Sequence, residues 1–172
     1  MQSKHEPQHR KIHTKKSNID GTGIFAKRDI KKDESIALIK GQIVNHFAVD
    51  KSTSSVGPNW IGIGKNKWID SKLFDRINHS CNPNAGIKGS KTVIALRNIE
   101  KKEEVFIDYS ITEEDILWKL PKKCKCRSKK CRKIIKSIQF LPKKVYNSYL
   151  PYIPKYFQKV YMKYYQIKNS GK

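Results

Sequence analysis

Apolar residues in the middle of this chain come in short runs, not in helical stripes. The runs Ile24–Ala26, Ser35–Val44, Trp60–Ile63, Lys67–Ile69, Thr92–Arg97 and Glu104–Tyr109 are mostly rich in Ile and Val, with Gly, Asn, Asp or Lys at their borders. Branched side chains between turn formers predict strands. No long amphipathic helix separates them, which argues against a doubly wound α/β fold. The expectation is a mainly β domain of many small strands. After Tyr109 the pattern changes: Ile111–Leu120 reads as a helix, and residues 122–133 as a basic loop bearing cysteines. Pro142, Pro151 and Pro154 cut the remainder, leaving Lys155–Asn169 as its best helix. There Phe157, Val160, Tyr161 and Tyr164 form an apolar stripe opposite Lys159, Lys163 and Gln166, the pattern of a helix packed on its own domain.

Composition narrows the class. The length of 172 residues suits one domain with appendages. No run approaches the roughly 18 apolar residues that span a bilayer. The stretch from Met1 to Lys16 is polar and lacks the apolar core of a secretory signal, so the expected location is intracellular. Four cysteines are too few for a disulfide scaffold of this size.

Charge adds an asymmetry. The net charge is +22, from 37 Lys+Arg against 15 Asp+Glu. From Ile116 onward there are 17 basic residues and no acidic one, whereas Ser17 to Asp115 is nearly balanced with 15 basic and 14 acidic residues. The 31 lysines against six arginines fit an AT-rich coding bias, but that bias would not remove every carboxylate from the last 57 residues. The flanks are therefore expected to meet an anionic partner, nucleic acid or an acidic protein. Residues 1–16 read as a flexible basic arm; His5, His9 and His13 within it are spaced for one helical face, but Pro7 and the charge favour a tail over a metal site.

Three segments carry chemistry. Cys124, Cys126 and Cys131 form C-x-C-x4-C, and the only other cysteine is Cys81. Three close thiols and one distant thiol suit a closed, structural four-cysteine zinc site. Gly21-Thr-Gly23-Ile-Phe-Ala26 matches a dinucleotide fingerprint literally, but its lead-in is polar and no apolar helix follows, so that reading is rejected. Its glycines still allow close backbone approach. The third segment, Arg76 to Asn84, is a dense polar loop whose Asn78 and His79 suit a polar ligand.

In order, these segments resemble the SET-domain protein lysine methyltransferases. The resemblance covers roughly Ser17 to Lys133. It rests on the G-x-G-I-F-A opening, Ile30 and Ile36 leading to Gly41, Ile69-Asp70, and Asn78-His-Ser-Cys81-x-Pro83-Asn84. It continues with Ala95-Leu-Arg-Asn-Ile99, Glu103-Glu-Val-Phe-Ile-Asp-Tyr109 and the closing C-x-C-x4-C. The resemblance implies a SET fold of several small β-sheets with a knot-like crossing of the Asn78–Cys81 loop and the segment through Tyr109. A partly helical C-terminal extension would follow.

The same resemblance implies roles. S-adenosylmethionine would lie on the backbone around Asp20, Gly21, Thr22 and Gly23, with Asn78 and His79 on its other side and the aromatic residues Trp60 and Trp118 near it. Tyr109 matches the catalytic tyrosine, and Cys81 would complete a zinc site with Cys124, Cys126 and Cys131. Ile39 and Ile107 fall at positions of the substrate-lysine channel, where the family has hydroxyl-bearing or aromatic residues. Without a hydroxyl at Ile107, di- or trimethylation is expected. The implied activity is methyl transfer to lysine side chains of a basic protein such as a histone, with a nuclear or chromatin location if a histone is the target and a cytoplasmic one otherwise. The implied divisions are an arm at 1–16, the SET domain at 17–120, a zinc-binding segment at 121–134 and a basic aromatic extension at 135–172. The rival from another class is a non-catalytic zinc-bearing chromatin or nucleic-acid module that retains the fold, which Ile39 favours. An assembly protein built on the aromatic tail is a third reading.

Overall fold

The computed structural model of the chain describes residues 8–45 and 60–170. A single turn of helix, α1 (Gln8–Lys11), leads into β1 (Ile12–Lys16), which pairs antiparallel with β2 (Thr22–Ala26) so that Ile12 faces Ala26 and Lys16 faces Thr22. The arm expected to be free is thus a paired strand from Ile12 on. Residues 1–7, including His5, lie outside the described part. In β2, Ile24 and Ala26 are buried while Phe25 between them is half-buried, the period-2 alternation of a strand with one face on a core.

The run Ser35–Val44 is two strands, not one. β3 (Ser35–Leu38) and β4 (Gln42–Asn45) belong to different sheets. β5 (Trp60–Gly64), β6 (Lys67–Asp70), β7 (Ala85–Lys88) and β8 (Thr92–Ala95) complete them, in the orders β3-β8-β7 and β4-β6-β5, all antiparallel. The β7 strand, Ala-Gly-Ile-Lys, was not expected; its Gly and its short length hide it in the sequence.

Two expected elements dissolve. Glu104–Tyr109 makes isolated bridges instead of a ladder, Phe25 with Glu104 and His79 with Ile107. Val105 donates to the Ile24 carbonyl, then Ile107 donates to Asn78 and Ser80 donates back to Ile107. The segment therefore runs from β2 to the polar loop and is hydrogen-bonded to both. The helix expected at Ile111–Leu120 is one 3-10 turn, Tyr109–Thr112, capped by the Asp108 side chain accepting from Ser110 N–H.

Two helices follow, α2 (Lys143–Tyr149) and α3 (Lys155–Ser170). Phe157 and Tyr161 of the expected stripe are buried in the same core as Ile24, Ile61, Ile87, Val105 and Ile107, and Tyr146 stacks on Tyr161 with ring centroids 3.7 Å apart. Burial of this kind, not helix propensity, fixes a segment so rich in aromatic residues. No helix among the described residues is long and apolar enough to cross a membrane. The architecture is mainly small antiparallel sheets with a helical C-terminal extension.

Candidate active site

A cavity of about 250 Å³ opens where the turn before β2, the polar loop and the cysteine-bearing segment meet. One wall is Ile19, Asp20, Asn78, His79 and Tyr109; the opposite wall is the stretch Leu120 to Lys125. Gly21 turns the chain beside the first wall with φ +45°, a left-handed conformation that favours glycine. Gly23 is required for a different reason. A Cβ there would stand 2.1 Å from Oε1 of Glu104.

Glu104 is buried and organises the first wall. Its Oε2 accepts from the Ser17 hydroxyl at 2.9 Å and its Oε1 from the Asn78 amide at 2.8 Å. The same amide donates to the Asp20 carbonyl at 3.1 Å, which joins the glycine turn to the polar loop. Both side-chain donors of Asn78 are thus engaged.

Tyr109 stands at the crossing. Its hydroxyl donates to the Ile77 carbonyl at 2.8 Å, and its ring lies 5.3 Å from His79 and 5.8 Å from Phe74, centroid to centroid. Burial, then the carboxylates of Asp75, Asp20 and Glu104, push its pKa above the ordinary phenol value. The phenol is therefore protonated throughout the physiological range. The Tyr109 N–H donates to Nδ1 of His79 at 3.2 Å, so Nδ1 is the unprotonated nitrogen and Nε2, 3.4 Å from Cys81 Sγ, carries the proton. Burial lowers the His79 pKa to about 4 against the opposing pull of Asp108, consistent with a neutral ring.

The four cysteines converge. Their sulfurs all lie within 4.8 Å of one another, Cys81 and Cys124 at 4.0 Å, and none is in a disulfide. A tetrahedral site with metal–sulfur bonds of about 2.3 Å has sulfur–sulfur edges of about 3.8 Å, so the donor set fits a zinc-sized ion after a small contraction. Backbone N–H groups of Cys126 and Arg132 donate to the sulfurs of Cys124 and Cys81 at 3.4 and 3.3 Å. Leu120 and Cys124 donate to the carbonyls of Ile135 and Lys133, which holds the second cavity wall to the chain that follows it.

The remaining expected site residues fall elsewhere. Thr22 is exposed at the start of β2. Trp60 is half-buried at the start of β5, and Trp118 packs against the cysteine cluster; neither lines the cavity. Ile39 and Ile107 are 1 % and 0 % exposed in the main core, also off the cavity. Four residues were missed: Ser17, Glu104, Asp108 and Arg132. Glu104 and Asp108 left one trace, acidic side chains inside an apolar run where burial requires a partner.

Comparison with known proteins agrees with this architecture. The SET domain family matches residues 21–110. "Histone-lysine N-methyltransferase 2B" of Homo sapiens is 32 % identical over 136 residues, covering 70 % of this chain and 5 % of that protein. "Histone-lysine N-methyltransferase trithorax" of Drosophila virilis is 33 % identical over 136 residues, covering 70 % of this chain and 3 % of the relative. "Variant-silencing SET domain-containing protein" of Plasmodium falciparum is 32 % identical over 120 residues, covering 58 % and 5 %. The chain thus spans only a few per cent of the length of these relatives. By the SET match over more than half its residues, the chain belongs to the SET-domain family.

Proposed function

We propose that the chain is an S-adenosylmethionine-dependent protein lysine N-methyltransferase acting on histones or a similarly basic protein. The observation that carries this reading is the convergence of Asp20, Asn78, His79 and Tyr109 on one cavity beside the turn at Gly21. The relatives named above as histone-lysine methyltransferases support the substrate class.

The residues present fit the cofactor. Ile19, Leu120 and Pro121 offer apolar surface for its flat ring, and Lys122, Lys123 and Lys125 offer ammonium groups for its carboxylate. When bound, the cofactor supplies an electrophilic methyl group. Zinc fits the cysteine set as a structural ion, fastening the Leu120–Lys125 wall without touching the reaction. A lysine amine has an ordinary pKa of about 10.4 and must be neutral to act as a nucleophile. An apolar channel favours the neutral amine. Tyr109, protonated and already donating to the Ile77 carbonyl, leaves its oxygen lone pairs to accept from the amine, so it orients the nucleophile and does not act as a base. Ile107, bridged to His79 though buried in the core, brings no hydroxyl to the position that tunes methyl number in the family, which supports di- or trimethylation as the product.

The basic flanks would hold nucleic acid in chromatin, which agrees with a nuclear location. The matching functional units are 17–120, 121–134 and 135–172, with Ile12–Lys16 of the 1–16 arm joined to the first as the partner strand of β2. A non-catalytic zinc-bearing module is favoured by Ile39, which stands where the family carries a hydroxyl-bearing or aromatic residue. Incubation with labelled cofactor and a histone panel separates the two. Transfer is expected, and Tyr109→Phe should lower it by about 10²-fold or more with cofactor affinity kept. Cofactor binding with no transfer to any histone would establish the binding module instead.

A further inference from the structure

Asp108 is fully buried, and its partners come from three parts of the chain. Its Oδ1 accepts from the Ser110 N–H at 3.1 Å and lies 3.7 Å from Nδ1 of His79. Arg132, next to the last cysteine, places Nη2 2.7 Å from both oxygens. Tyr149, the last residue of α2, donates its hydroxyl to Oδ2 at 3.0 Å. The carboxylate is thus tied at once to the turn that begins with Tyr109, to the cysteine segment and to the C-terminal extension.

A buried carboxylate keeps one orientation only while its lone pairs are filled. Arg132 alone would leave it free to pivot, because one nitrogen serves both oxygens. The Tyr149 hydroxyl removes that freedom by fixing Oδ2, which leaves Oδ1 aimed at Ser110. Ser110 follows Tyr109, and His79 accepts from the Tyr109 N–H, so the orientation of Asp108 sets the backbone from which the Tyr109 ring projects. Other tail hydroxyls act elsewhere: Tyr161 and Tyr165 donate to Leu141, Tyr152 to Asp33 and Tyr156 to Glu114. Tyr149 itself does not line the cavity.

We propose that Tyr149 is a positioning residue for Tyr109, acting through Asp108, so that the extension beyond the SET match is a working part of the active site. The kinetic form of this inference rests on the methyltransferase reading; its structural form does not. The test compares Tyr149→Phe with Tyr161→Phe in the full chain, each removing one buried hydroxyl and keeping the ring. Two quantities are measured: the kcat and KM for methyl transfer, and the ring resonance of Tyr109 in protein carrying ¹³C-labelled tyrosine, assigned with Tyr109→Phe. For Tyr149→Phe, kcat should fall about tenfold with both KM values unchanged, and the Tyr109 resonance should move. For Tyr161→Phe, both should stay at wild-type values. A wild-type resonance in Tyr149→Phe, or equal changes in the two variants, overturns the proposal. If the wild-type protein transfers no methyl group, the methyltransferase reading fails, and the resonance still decides whether Tyr149 positions Tyr109.

Discussion

At the scale of single residues, the site depends on one buried carboxylate more than on the residues that advertise it. Glu104 holds Asn78 and Ser17, and Gly23 exists to let it do so. Gly23→Ala would drive Oε1 of Glu104 off the Asn78 amide, leaving two buried polar groups without each other. The cost should be about 1–3 kcal/mol of stability. Cofactor affinity should fall with it, because the Asn78 link to the Asp20 carbonyl is released. Thermal denaturation and titration calorimetry check both, and a variant matching wild type in each would show that Glu104 is replaceable. Gly21→Ala reads differently, since its Cβ meets nothing within 4 Å and only the backbone conformation is strained. In the sequence these two glycines look alike. Close backbone approach, expected there of both, holds for Gly23 alone, and what Gly23 approaches was not legible because Glu104 lies more than 80 positions away.

At the scale of elements, legibility followed range. Strands β2, β5, β6 and β8 and helix α3 were readable because local alternation or helical spacing marks them. Glu104–Tyr109 has the same apolar alternation but changes partner midway, so it forms bridges and no ladder, and only the tertiary path decides that. The cysteine segment shows the opposite case. Its spacing announced a metal site, while its shape depends on very little apolar packing: beside the cysteines, Ile135 is the one buried hydrophobic residue of that cluster. With the zinc proposed for the four cysteines, the ion is what holds the shape of such a segment. Removing zinc with a chelator should therefore loosen the Leu120–Lys125 wall while the separate main core stays folded. Trp118 packs on the cysteines and reports this directly. Its emission should shift to longer wavelength, with Trp118→Phe as the assignment control, and cofactor affinity should fall about tenfold or more. Unchanged emission and affinity after chelation would remove the metal from the account of this wall.

At the scale of the whole molecule, the charge asymmetry acquires a surface. The extension is not a loose tail: Phe157 and Tyr161 are in the main core, and Ile87 donates to the Tyr152 carbonyl. Packing the aromatic face inward leaves Lys155, Lys159 and Lys163 exposed at helical spacing, with Lys143 and Lys144 exposed on α2. The cysteine segment adds exposed Lys122, Lys123, Lys125, Lys129 and Lys130, and no carboxylate occurs from Ile116 onward. The aromatic residues of the extension are largely consumed in packing, so the exposed groups can recognise phosphates but have little means of reading bases. Binding to duplex DNA should therefore be sequence-independent and governed by counterion release. Fluorescence anisotropy with two unrelated duplexes should give equal affinities, with log K falling linearly against log salt at a slope of about −4 or steeper. Charge reversal at Lys155, Lys159 and Lys163 together should flatten that slope by about two to three, since each contact contributes roughly 0.9. That change should leave methyl transfer to a short free peptide at its wild-type rate, because none of the three residues lines the cavity. A slope near zero, or a marked preference between the duplexes, would assign the positive charge to something other than phosphate contact.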